Sequence, residues 1–458
     1  MKTFARRLTF GRALRSRRFA LLWCGQTVSA LGDGAFYTAL AWQVLILTHS
    51  ATAMGLALVA ETAPLVLFTL IGGVVADRLP RRLTLLWSDG GRAGAAGIVA
   101  ALGLANALSY WHIVALAFVF GLAEAFFRPA YQAIPPELVP AEDLSSANAL
   151  TSLSRNLSVL VGPALGAAFV TLTTASLAFA FDSATFVASA VFLILMGRVD
   201  GLARAEPEGS APLSAPVGGV EAALAVRAEA EAVTPGIATV QREELAPARA
   251  PGGLRGALAD IREGIGYITA STWLWLTIAL ASLGNVANAP IQVALPKLVH
   301  DVYHQDAWLL GAVLSASAAG SMVAALAMGQ FKRLRRRGLI AYFGLLVVGP
   351  AQIALGLPFA RLLAPGLPLF AGAVIGMGFG VFEVIWLTTL QELVPAEKLG
   401  RVSSVDWMGS LLLQPVGLFL VGALTDAIGP SWVFVAGGAL NMLLTLIGLA
   451  SRDIRHLD

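Results

Sequence analysis

Ionisable side chains fall inside long apolar stretches of the sequence, among them Asp33, Glu61, Glu124, Arg128 and Glu383. An ionisable group at membrane depth costs roughly 3 kcal/mol or more, so each is a candidate for binding protons, ions or a charged ligand. A carboxylate can take up and release a proton, and a guanidinium can exchange one carboxylate partner for another. Gln26, Ser29, Asp33 and Tyr37 recur at spacings of 3, 4 and 4, which puts them on one stripe of a helix. Glu124 and Arg128 form an i,i+4 pair, with Tyr131 close by, and Asp89 and Arg92 an i,i+3 pair that reads as structural. The five His (His49, His112, His300, His304, His456) all sit at loops or ends, so no imidazole relay is available inside the apolar runs.

Those runs dominate the chain. Of 458 residues, 57% are apolar and only 13% charged, against roughly 25% charged in a soluble domain. That composition excludes a soluble enzyme. The single cysteine, Cys24, excludes a disulfide framework or a thiolate metal cage. Twelve runs, from 19–47 to 432–451, are long enough for helices that cross a bilayer. Of 31 Lys and Arg, 26 fall in the tails or in loops on one side, so the positive-inside rule puts both termini in the cytoplasm. The basic residues act as topology determinants, which removes a nucleic-acid reading.

An offset of 255 carries the first six runs onto the last six. The eight residues from Glu137 to Leu144 match those from Glu392 to Leu399 at seven positions, and Asp33 falls on Asn288 while Arg128 falls on Glu383. The fold class expected is therefore all-α and integral to the membrane, with twelve helices as two pseudo-symmetric six-helix bundles joined by a cytoplasmic linker. The divisions are a basic tail (1–18), a first bundle (19–197), a mostly disordered Ala/Pro/Glu-rich linker (198–253), an interfacial amphipathic helix (254–271), a second bundle (272–451) and a tail (452–458). Leu254, Leu258, Ile261, Ile265 and Ile268 form the apolar stripe of the amphipathic helix.

The loop Gly73-Val74-Val75-Ala76-Asp77-Arg78-Leu79-Pro80-Arg81-Arg82 resembles the signature loop of the major facilitator superfamily, with Pro80 where the family usually has Gly. Gly162-Pro163-Ala164-Leu165-Gly166-Ala167 is similar to that superfamily's antiporter motif. The opening from Leu22 to Asp33 and the Glu-Leu-Val-Pro block look like the drug-exporter branch of enterobactin exporters and macrolide efflux proteins. The resemblance implies a cytoplasmic gate in which Asp77 meets the start of span eleven near 402–404, with Arg78, Arg81 and Arg82 around it. It also implies that spans four and ten face each other across a central cavity whose mouth Arg155 reaches, and that span six, with Asp182 as a structural carboxylate, is peripheral.

Two readings of Arg128 stay open: exchange between Glu124 and Glu383 as the cavity opens and closes, or a permanent pair with Glu124. Asp33 is a candidate for coupling or substrate binding. Glu61, Gln26, Tyr37 and Asn288 join it around the cavity, Asn288 as a fixed amide that cannot titrate. No phosphate-binding loop precedes any of the four Lys, so no ATP is used. No enzyme motif appears, no metal or other cofactor is expected, and the energy source is a proton gradient. The function expected is a secondary active transporter, a proton-coupled antiporter exporting amphipathic small molecules such as drugs, macrolides or a siderophore. Phe36, Tyr37, Phe126, Phe127, Tyr131, Phe382 and Trp386 suit an apolar ligand. Alternatives are a lipid or lysolipid transporter and, from another class, a non-transporting receptor or scaffold. The expected partners are the lipid bilayer and the substrate, with no nucleic acid; the expected state is a monomer in the inner (plasma) membrane.

Overall fold

The computed structural model describes residues 11–197, 254–331 and 335–457. The expected linker 198–253, residues 1–10 of the basic tail, and Lys332 and Arg333 lie outside the described residues. So do the side chains of Asp77, Arg78 and residues 254–261. Among the described residues the chain is helical, without strands. The long helices are α1 (Arg17–Thr48), α2 (Ala51–Arg78), α3 (Arg81–Leu104), α4 (Tyr110–Ala133), α5 (Leu144–Leu172) and α6 (Ala175–Leu195). After the amphipathic helix Leu254–Ala270 come α7 (Thr272–Val293), α8 (Ala307–Met328), α9 (Arg337–Leu346 and Val348–Gly356), α10 (Gly366–Leu393), α11 (Ala396–Leu411 and Gln414–Ile428) and α12 (Pro430–Ala450).

Local chemistry sets the helix ends. Ser16, Ser50 and Thr174 each accept a backbone N–H from three residues on, capping α1, α2 and α6. α9 and α11 are each in two pieces, and each break lies four residues before a proline, Pro350 and Pro415. Proline has no N–H to return to the carbonyl of Leu346 or Leu411, so the ladder is interrupted there. Of the twelve spans expected, eleven are helices long and apolar enough to cross a membrane. α3, the twelfth, has 24 residues, but Asp89, Gly90, Gly91 and Arg92 dilute its apolar character.

The sequence repeat is also a packing repeat. In the first half α1 packs on α5 and α6, α2 on α4, and α3 on α6; in the second α7 packs on α11 and α12, α8 on α10, and α9 on α12. The equivalent glycines Gly121 and Gly376 show why. A Cβ on Gly121 would strike the Glu61 carbonyl of α2, and one on Gly376 the Ser317 carbonyl of α8. Without side chains there, backbones come together and dispersion holds helices that gain nothing from hydrophobicity in lipid.

The halves meet through α2 against α11 and α5 against α8. Toward the face away from the chain ends, one apolar core joins both halves, with Phe36, Trp42 and Met54 from the first and Leu298, Leu309 and Leu418 from the second. Toward the face where α1 begins and α12 ends, here the terminal face, the apolar clusters belong to one half or the other and never to both. The two bundles are thus joined at the far face and parted at the terminal face.

Gly121→Val should separate α2 from α4, at a cost of about 1–3 kcal/mol or more, whereas Gly90, with open space around it, should accept Ala. Thermal unfolding in detergent should show a lowered Tm for Gly121→Val and an unchanged one for Gly90→Ala.

Candidate functional site

The parting of the halves leaves a cavity of about 710 Å³, lined by α1, α4, α5 and the segments flanking them, with Arg92 from α3. Gln26, Asp33, Tyr37, Glu124, Arg128 and Arg155 all line it, so residues chosen from separate helices share one space. All of its lining comes from the first half. Across it, the Arg128 guanidinium lies 6.0 Å from the ring centre of Trp407 in α11.

Asp89, Arg92, Glu124 and Arg128, on and behind this wall, form one connected network. Glu124 Oε1 accepts from Arg128 Nε at 2.6 Å, and its Oε2 lies 3.3 Å from Arg92 Nη1. Arg92 Nη2 also holds Asp89 Oδ1 at 2.9 Å. The other Asp89 oxygen accepts from Ser189 Oγ at 2.7 Å and Gln26 Nε2 at 3.3 Å. The Arg92 guanidinium is 4.5 Å from the ring centres of both Phe127 and Phe186, so it is stacked as well as paired. Tyr37 Oη donates to Glu61 Oε1 at 2.5 Å, which ties Glu61 of α2 to the cavity wall. Pairing at spacing 3 for Asp89 and Arg92 was readable in sequence. The bridge from Arg92 to Glu124 was not, because it joins two helices.

The second half is built differently. Asn288 Nδ2 donates to the Gly284 carbonyl at 2.8 Å, and Asn441 Nδ2 donates to Asn288 Oδ1 at 2.8 Å and Gln352 Oε1 at 3.0 Å. Asn288 therefore faces a separate, smaller cavity of about 160 Å³, with Tyr342, Phe379 and Phe382. Glu383 is exposed and forms no ion pair among the described residues; Arg128 is with Glu124. Asp406, in the first piece of α11, accepts from Trp386 Nε1 at 3.2 Å through one oxygen while the other has no partner. Sequence reasoning passed it over, although it is the first acid within its apolar run.

In the gate loop, Gly73 has open space around it. Arg81 Nη1 donates to Glu137 Oε1 at 2.6 Å and to the Ala133 carbonyl at 2.5 Å, and Arg82 Nε to the Leu193 carbonyl at 2.7 Å. The expected grouping of Arg81 and Arg82 around Asp77 turns on the Asp77 side chain, which lies outside the described residues. The two arginines reach the C-terminal ends of α4 and α6, where unpaired carbonyls attract cations. Each copy of the Glu-Leu-Val-Pro block has its Glu held by an Arg, Glu137 by Arg81 and Glu392 at 2.5 Å by Arg337, which falls on Arg82 and so lies one residue out of register. The Gly162, Pro163 and Gly166 motif seats α5: a Cβ on Gly162 would meet Gly34 and one on Gly166 the Ala35 carbonyl, both in α1. The Pro163 carbonyl lies against Gly311 of α8, making this motif a contact between halves.

At the far face the halves are clasped by a single carboxylate. Asp426, near the end of α11, accepts from Ser50 Oγ at 2.6 Å, the Ala51 and Thr52 amides at 2.8 and 2.9 Å, and Thr52 Oγ1 at 2.7 Å. These donors are the N-terminus of α2, where exposed amides favour an anion. Lys297 closes the same seam by donating to the His49 carbonyl at 2.7 Å.

The Major Facilitator Superfamily model matches residues 22–412. Macrolide efflux protein A of Streptococcus pyogenes is 21% identical over 96% of this chain and 97% of its own length. Multidrug efflux pump Tap of Mycolicibacterium fortuitum is 26% identical over 96% of each chain. Among solved structures, the peptide transporter POT superposes with a TM-score of 0.68 at 16% identity, covering 96% of each chain. A bacterial homologue of the human lysosomal transporter Spinster, in an inward-facing and unoccupied conformation, gives 0.64 at 14% identity over 96% of this chain and 95% of that one. At such identities these structures establish the fold alone.

Removing the clasp should open the far face. A charge-assisted hydrogen-bond set of this kind is worth about 2 kcal/mol, roughly a thirtyfold shift between closed and open. In a Cys24→Ser background, Ala57→Cys, buried in the shared core, should react with maleimide faster by roughly that factor when Asp426→Ala is added.

Proposed function

The chain belongs to the Major Facilitator Superfamily and is a membrane transporter; from that premise we propose that it is a proton-coupled antiporter exporting amphipathic, cationic small molecules by alternating access. The observation that carries this reading is Glu124, which holds Arg92 and Arg128 at once on the wall of the cavity. The ammonium of a ligand competes for the same two oxygens and releases Arg128, which then finds its partner at Glu383 in the opposite half and draws the terminal face shut. Once the ligand has left at the far face, a proton taken up there by the network lets Arg128 return to Glu124 and the terminal face reopen, so ligand and proton move in opposite directions. The efflux relatives support the direction of transport, and the aromatic side chains Tyr37, Phe127 and Tyr131 on the wall suit an amphipathic drug or macrolide.

The terminal face is cytoplasmic in this account, because the basic residues concentrate there. Both termini then lie in the cytoplasm, the membrane is the inner (plasma) membrane, and the carrier works as a monomer in the bilayer. Residues 19–197 and 272–451 are the two rocking bundles and 198–253 their tether. Residues 254–271 lie at the inner surface, where Glu263 pairs with Arg401 at 2.7 Å, and 1–18 and 452–458 form the cytoplasmic tails. On closing, Asp77 meets the start of α11, with Arg78 beside it. No cofactor takes part. One proton crossing about 150 mV supplies roughly 3.5 kcal/mol, enough for a ligand gradient of a few hundredfold.

In liposomes with a pH-sensitive dye trapped inside, an imposed proton gradient should drive counter-movement of tetraphenylphosphonium or a macrolide. That coupled flux should vanish in Glu124→Gln and in Asp33→Asn. The double variant Arg128→Glu with Glu383→Arg should recover transport that either single change abolishes. Ligand movement without proton flux contradicts antiport, and a double variant as inactive as its singles contradicts the partner exchange.

A further inference from the structure

The proton-coupled reading leaves open where the proton resides while the terminal face is open. We propose that it resides on Asp182 of α6, outside the cavity lining, and exchanges with the cavity through Asp33. Asp182 is fully buried, and neither of its carboxyl oxygens has a hydrogen-bond partner. Its neighbour Thr185 turns its hydroxyl to the Asp182 backbone carbonyl at 2.7 Å. Asp89 is equally buried, but Arg92, Ser189 and Gln26 satisfy it. An ionised Asp182 would be a buried charge with only the Thr185 hydroxyl and the already shared charge of Arg92 to compensate it, which is costly in a dry site.

Its position connects it to the cavity. A Cβ on Gly32 would lie 2.7 Å from Asp182 Oδ1, so the carboxyl rests against the backbone of α1 one residue from Asp33. Asp33 itself lines the cavity. The charged groups that face Asp182 are Asp33 from α1 and Arg92 from α3. Arg92 currently divides its charge between Asp89 and Glu124.

The repeat supplies the control. Asp182 falls on Gly437 and Gly32 on Ala287. At that equivalent place the second half puts the Gln352 amide, 2.5 Å from where a Gly437 Cβ would stand, with its Nε2 donating to the Ala287 carbonyl at 2.8 Å. Where only structure is needed, the fold uses a satisfied neutral amide. The first half keeps an acid that lacks such bonds.

The step balances. A ligand cation that takes Glu124 frees one arm of Arg92, which turns to Asp182. Asp182 then ionises, its O–H bond breaks, and the proton passes to the Asp33 carboxylate and on to water in the cavity. One positive charge enters the network and one leaves.

Infrared difference spectroscopy on the purified full chain reads this directly. At neutral pH the wild type should show a protonated-carboxyl C=O band that is lost in Asp182→Asn and that disappears when tetraphenylphosphonium binds. In liposomes Asp182→Asn, which mimics the protonated acid, should keep ligand binding and lose gradient-driven transport. Should Asp182→Asn not fold, Asp33→Asn decides the matter, since it should keep the band but slow its hydrogen–deuterium exchange severalfold. A band unaffected by Asp182→Asn, exchange unaffected by Asp33→Asn, or wild-type pumping by Asp182→Asn overturns the proposal. A wild type that moves ligand with no proton flux, yet shows the band, sinks antiport itself and the coupling role with it.

Discussion

A charge held within the thickness of a membrane must find its counter-charge inside the protein, and the guanidinium of Arg92 is where this chain meets that demand. It reaches Asp89 on its own helix and Glu124 on α4, and it is stacked between Phe127 and Phe186. Removing either carboxylate would leave a buried cation short of a partner, a loss that runs to several kcal/mol. Gln26 and Ser189 are recruited through Asp89, and Arg128 through Glu124. Asp89, Arg92, Glu124 and Arg128 are thus one system in which a change of charge at one bears on the others.

The second half has the same helix packing, with an amide cluster where the first half has its buried ion pairs. Asn288, Gln352 and Asn441 are amides bonded to one another and to backbone carbonyls. Amides hold a fold together but do not titrate, so this cluster is a fixed counterpart of the charged one in the first half. The two halves are joined by contacts that are easy to make and break. Small residues let α5 and α8 touch at Pro163 and Gly311, and one carboxylate, Asp426, clasps α11 to the start of α2. At the far face these hydrogen bonds rim an apolar core shared by both halves, and alternating access would require both to part.

Much of this was legible in the residues. Hydropathy located the spans, and the 255-residue offset paired them, because packing repeats when sequence does. Asp33, Tyr37, Glu124 and Arg128 do converge on one cavity, since intramembrane polar groups have few other places to go. What spacing rules miss is contact between helices. The Arg92–Glu124 bridge joins residues 32 positions apart and the Asp426 clasp residues 376 apart. Asp426 stands near a helix end, where an acid is unremarkable until its partner helix is known. The surroundings of Asp182 were out of reach for a related reason: only coordinates reveal that its buried carboxyl is not held by donors as that of Asp89 is. In the basic loop, the contacts of Arg81 and Arg82 with the ends of α4 and α6 likewise join separate helices and could not be read from spacing.

The central claim is that a ligand cation and a proton compete for one charge network. Counting the protons released when tetraphenylphosphonium binds to the purified chain in weakly buffered detergent tests it without a membrane gradient. The account predicts release of about one proton per cation bound, by linkage between the two equilibria. Saturable binding with no proton released would contradict it.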